Sequence, residues 1–227
     1  MSYSIKIRVY NPKPAADQAD REWTAINGID KFCAKPRKGP GDMGFRERWI
    51  NLLHRAATGT KKTRILLTPI GVTTFGAFTA SFVFAALVVD RLLHLPGLLP
   101  EGARLPISIP VMVAGITVTA WSVFHFLKVK GTPVPFNPPP KVVKTGPYQY
   151  ARNPMLTGVF LFLFGLGFGV NSVSLVFLFT PLYVLVNVWE LKEIEEPELM
   201  KRLGDEYIEY RRQTPMFIPG RRPRSNT

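Results

Sequence analysis

Residues 65–89, ILLTPIGVTTFGAFTASFVFAALVV, form a 25-residue run with no charged side chain. As a helix this run rises about 37 Å. That clears a hydrocarbon core of about 30 Å with some tilt and is too long for an ordinary buried helix. Pro69 lies near the start, where a kink disturbs little. A second apolar run covers about 107–127, and two shorter ones cover 155–170 and 172–188. The shorter runs would each be roughly 25 Å long, barely enough to span. Only Asn171 separates them, and asparagine suits a tight turn, so the pair predicts a helical hairpin. Gly158, Gly165, Gly167 and Gly169 would let the hairpin's arms approach closely. Pro181 predicts a kink in the last span. The expected fold is an all-α polytopic membrane bundle of about four spans, with a C-terminal hairpin and a tail helix.

The charge distribution agrees. The chain has 227 residues, a formal charge of +13, 46% apolar residues and 20% charged ones. Those values suit a membrane protein whose charges lie outside its apolar runs. Nucleic-acid binding is not expected, because the basic residues flank the apolar runs and form no stripe with stacking aromatics. A membrane face carrying anionic lipid is the simpler partner. Cys33 is the one cysteine, so no internal disulfide or cysteine metal cluster can form, and no metal site is expected. The polar N-terminus does not read as a cleaved signal.

Residues 1–64 read as a polar arm carrying one ordered piece, about 45–57. There Phe45, Trp49, Leu52, Leu53 and Ala56 share one helical side, with Arg46, Arg48, Asn51 and Arg55 elsewhere. This predicts an amphipathic helix in the membrane interface, the alternative being a helix packed on a partner. Residues 189–227 read as a charged tail. Lys and Arg number 14 before residue 65, 2 in the 90–106 loop, 5 in 128–154 and 8 in the tail. The positive-inside rule then predicts a cytosolic arm, 128–154 loop and tail, in an inner membrane or endomembrane. The Pro-rich loop and the acidic tail therefore share one face.

Two motifs stand out on that face. Residues 145–158, TGPYQYARNPMLTG, end a loop and open a span. A helix start favours anionic groups, and Arg152 adds a fork of donors, so a ligand carboxylate could be held there. Arg152 bound to lipid phosphate is the plainer alternative. In the second motif, Glu195-Glu196-Pro197-Glu198 precedes Gly204, Tyr207 and Tyr210. Acidic groups at a membrane boundary suit a cationic ligand, a sulfonium or an ammonium. A solvated helix with Glu198 paired to Arg202 is the alternative. Trp121 and His125 read either as interfacial residues or as a wall of a site.

The order Gly146-Pro147-Tyr148, Arg152-Asn153-Pro154, Gly158, then Glu195-Glu196, Leu199, Gly204, Tyr207 and Tyr210 resembles the isoprenylcysteine carboxyl methyltransferases and their phospholipid methyltransferase relatives. The resemblance implies S-adenosylmethionine as methyl donor, bound at the cytosolic face by Lys141, Val142, Val143, Tyr148, Arg152, Asn153, Pro154, Met155 and Leu156, with Glu195 closing the site. The catalytic candidates are Arg152 and Glu196, with Glu193 as another base for an amine acceptor. Carboxyl methyltransferases usually carry His where Asn153 stands, and a substrate-binding Arg about where Leu191 stands. Asn-Pro-Met and Glu-Glu-Pro look like lipid-amine methyltransferases. The implied acceptor is therefore a phospholipid amine or an isoprenylcysteine-like carboxylate. A sterol-reductase-type NADPH oxidoreductase and a non-enzymatic assembly factor are the competing readings.

Overall fold

The computed structural model describes residues 44–57, 59–129 and 141–217. The arm before residue 44 with Cys33, the Pro-rich 130–140 stretch and the end from residue 218 lie outside the described residues. The described residues all fall in the second of two units of the chain, which begins at Gly44. The described elements of the second unit are helical: α1 Phe45–Ala57, α2 Lys61–Leu92, α3 Glu101–Lys128, a 3₁₀ turn Gly146–Gln149, α4 Pro154–Gly169, α5 Leu175–Leu203 and α6 Asp205–Gln213. Of these, α2, α3 and α5 are long and apolar enough to cross a membrane. The fourth apolar helix, α4, has 16 residues and rises about 24 Å.

Side chains such as Leu66, Phe84, Ile116 and Phe124 stand exposed along α2 and α3. Apolar surface of this extent wants lipid as its solvent, so the chain is an integral membrane protein.

The four apolar helices alternate in direction. At one end, Asn171 takes a left-handed turn (φ 60°) and closes it against the α2–α3 connection. Its side-chain oxygen accepts from Leu99 N at 2.8 Å, and its Nδ2 donates to Leu99 O at 3.1 Å. Arg104 donates to Gly169 O at 2.8 Å, and Asp90 accepts from Ser174 N at 3.0 Å and from the Ser172 hydroxyl. Asn171→Ala removes both Leu99 bonds and leaves a non-glycine residue at positive φ. We expect it to destabilise the bundle by about 1–3 kcal/mol, read as a lowered melting temperature in detergent.

Three features depart from the sequence reading. First, α3 begins at Glu101 rather than near residue 107 and runs through Pro106 and Pro110. Prolines are tolerated in membrane helices, and between these two the Ser108 hydroxyl ties α3 to Gly165 O of α4 at 2.8 Å. Second, α5 continues past Val188 to Leu203. The change from apolar to charged composition marks a change of surroundings, not a break in backbone hydrogen bonding. Two π turns, Leu175–Phe179 and Leu191–Glu195, are built into it.

Third, most of the glycines serve a different contact. A Cβ on Gly158 would meet Thr119 and Gly115 of α3, one on Gly165 would meet Met112, and one on Gly169 would meet Ser108. Of the four, only Gly167 faces the other arm, at Val176. The small residues therefore join α4 to α3. The core between α4 and α5 consists of Leu156, Phe160, Leu163, Tyr183 and Leu191. The Tyr183 hydroxyl meets Thr79 of α2 at 2.7 Å.

Candidate active site

The end opposite Asn171 gathers the two motifs. Gly146 (φ +62°) turns the chain into the 3₁₀ turn, and the His125 ring of α3 occupies the place where a Cβ would project. The other ring nitrogen of His125 lies 2.9 Å from Trp121 O. This histidine is thus packed over the loop. Next along the turn, Tyr148 is buried with its ring edge-on to Phe126, centroids 4.9 Å apart. Its carbonyl accepts from the Tyr210 hydroxyl at 2.6 Å. Burial pushes the Tyr148, Tyr207 and Tyr210 hydroxyls up from their ordinary pKa, so all three remain neutral donors near pH 7.

A backbone strap fixes the turn into α4. Arg152 N donates to Pro215 O at 2.8 Å and Asn153 N to Met216 O at 3.0 Å. Phe217, next in line, packs on Phe160 with ring centroids 5.5 Å apart. Pro154 then opens α4 as a first-turn proline.

Glu196 is the centre of the charge network. It is 2% exposed. Its Oε1 accepts from Arg152 Nη1, and its Oε2 lies 3.2 Å from Arg211 Nε. Tyr207 is buried beside the same pair. Further along, Glu198 meets Arg202 at 3.0 Å and His54 of α1 at 3.4 Å. α1 is therefore docked on α5: Ile50 packs on Ile194, and Lys201 donates to Asn51 at 2.7 Å. Its Trp49 and Leu52 stay exposed on the outside. Lys144 and Glu206 pair at 3.5 Å on the surface, which contributes little.

The residues singled out from sequence divide into groups. Arg152 and Glu196 meet each other, so the guanidinium expected to hold a ligand already holds a carboxylate. Both of its oxygens are engaged, one by Arg152 and one by Arg211. Glu195 lies in the π turn of α5. Val143 is buried, Val142 partly so, and Lys141 is exposed at the loop's start. Asn153 caps α4 without a side-chain bond, and Met155 is half-buried. Leu156 faces the apolar core, because the third position of α4 points toward α5. The amides of Met155 and Leu156 belong to the free first turn of α4. Sequence reasoning missed Arg211, one member of an arginine pair in a charged tail, and the Pro215–Met216 strap, which uses backbone atoms alone.

These features define a class: a helical membrane bundle that closes a buried polar site at one end. Residues 105–206 match the phospholipid methyltransferase family, which confirms over that stretch the family resemblance carried by the motifs. The chain is also 35% identical over 96 residues to a methanethiol S-methyltransferase of Crocosphaera subtropica. That match covers 42% of this chain and 33% of the relative, so the chain spans about a third of the relative's length. No solved structure matches.

Proposed function

We infer that this protein is a membrane methyltransferase that uses S-adenosylmethionine to methylate a lipophilic acceptor at the cytosolic face. The observation that supports it most is the Arg152–Glu196–Arg211 cluster, which draws the two halves of the family motif to one end of the bundle. S-adenosylmethionine supplies a methyl group on a sulfonium. Glu195 is the residue we assign to accept from the donor's ribose hydroxyls or its ammonium group. The open first turn of α4, at Met155 and Leu156, suits its carboxylate. The Tyr148 hydroxyl, buried without a hydrogen-bond partner, is a donor still to be used. Arg152 acts here by position, holding the α4 start against α5. Closing such a site from water and aligning the two reactants supplies much of the rate.

A thiol acceptor is the second reading, favoured by the name of the matched relative. Calorimetric titration of the purified full chain with S-adenosylmethionine and, separately, NADPH tests the proposal. We expect saturable binding of the first, weakened at least tenfold in Glu195→Ala, with the protein still folded. Binding of NADPH alone would instead support an oxidoreductase, and binding of neither a non-enzymatic role.

A further inference from the structure

The helix α1 has two sides, and the protein covers one of them. Seen down the axis, Ile50, Asn51 and His54 fall on one side, and Arg48, Trp49, Leu52 and Arg55 on the other. The first side meets α5. Ile50 is buried on Ile194, Asn51 accepts from Lys201 Nζ at 2.7 Å, and the His54 ring lies 3.4 Å from Glu198. The second side is exposed at all four positions, Trp49 to 41% and Leu52 to 53%. These large apolar side chains therefore point away from the protein, whereas a helix held by protein contacts alone would turn them inward. A helix of 13 residues is marginal on its own in water, so most of its stability comes from what its two sides touch.

Position and charge indicate what meets the outer side. Three residues separate Ala57 from Lys61, where α2 begins, and they reach at most about 14 Å. The apolar span of α2 opens at Leu66. This short tether keeps α1 at the membrane boundary. From residue 45 to residue 64 the chain carries six Lys or Arg against one acid, Glu47. Arg48 and Arg55 flank Leu52 about one turn away on either side. Such a surface fits an anionic bilayer: the tryptophan and leucine enter the acyl boundary while the guanidinium groups meet lipid phosphates.

We propose that the outer side of α1 binds anionic lipid at the bilayer surface, and that this binding clamps α1 onto residues 194–201 of α5. That stretch includes Glu196, the centre of the charge network, so membrane charge sets how firmly the candidate site is held. The coupling is mass action. A ligand that binds the docked helix better than the detached one shifts the balance toward docking. It holds whatever reaction the site catalyses.

The test reconstitutes the full-length protein in nanodiscs of phosphatidylcholine, or of an equal mixture with phosphatidylglycerol, and follows amide hydrogen exchange by mass spectrometry. A basic side chain near an anionic surface contributes a factor of about five to binding. Anionic discs should therefore slow exchange at least tenfold in residues 45–57 and at least threefold in 194–203, and raised salt should shrink both effects. Replacing Arg48→Gln and Arg55→Gln together should remove most of the gain and leave exchange in α3 and α4 unchanged. Ile50→Ala should keep the response of α1 and lose that of 194–203. Equal exchange of α1 in the two kinds of disc overturns the proposal and points to a protein partner for the outer side. A gain that the double arginine variant retains overturns it too. So does a response at 194–203 that survives Ile50→Ala, because the clamp would not run through α1.

Discussion

Glu196→Ala should destabilise the protein by about 3–5 kcal/mol, the range for removing one partner of a buried ion pair. The carboxylate is almost wholly buried and answers both Arg152 and Arg211, whose side chains are 11% and 16% exposed. Without it, two guanidinium groups face each other in a site closed from water. The other contact of Arg211, the Met200 sulfur at 3.6 Å, carries no charge to neutralise it. Glu196→Gln should fall between alanine and wild type, because the amide can accept one of the two bonds. Thermal unfolding in detergent reads the effect. A Glu196→Ala protein melting with the wild type would mean the network does not hold the α4 start to α5.

The second large effect is expected at Gly158. A Cβ there would press on Thr119 Oγ1 and lie 2.6 Å from Gly115 O and 2.7 Å from Thr119 N. The last two atoms are backbone, so no side-chain rotation can make room. Gly158→Ala forces α3 and α4 apart, and overpacking of this kind costs about 1–3 kcal/mol. Gly158→Leu should exceed that and prevent recovery of folded protein. The displacement also moves Arg152, six residues before Gly158. Donor binding in the alanine variant should therefore fall more than its stability does. Gly76→Ala supplies the control, since nothing lies within 4 Å of a Cβ on that α2 glycine. Equal behaviour of the two alanine variants would show that the α3–α4 contact tolerates separation.

Much of the fold is legible in the sequence because lipid leaves so few options. Long uncharged runs must be helices, and Asn171 between two of them must turn. The convergence of the Gly146–Pro154 and Glu195–Glu196 motifs is also foreseeable, from the parity of crossings. Other features leave no mark in residue types. The glycines of α4 show that something approaches closely but not what, and the partner proves to be α3. Asparagine and glutamate at the site can be named from pattern, but whether a carboxylate is free or already paired depends on distant residues such as Arg211. The amphipathic pattern of α1 predicts its exposed Trp49 and Leu52, yet not that its other side grips α5 through Asn51 and His54.

The π turn has a consequence for reading related chains. A helix with an extra residue per turn is out of step with a regular one by a single position. Counting four back from Glu195 reaches Leu191, a core side chain, while the residue beneath Glu195 in space is Glu190. An ungapped alignment to a relative that lacks the wide turn would therefore pair each acidic position with the wrong neighbour. A one-residue gap between 191 and 195 restores the equivalence.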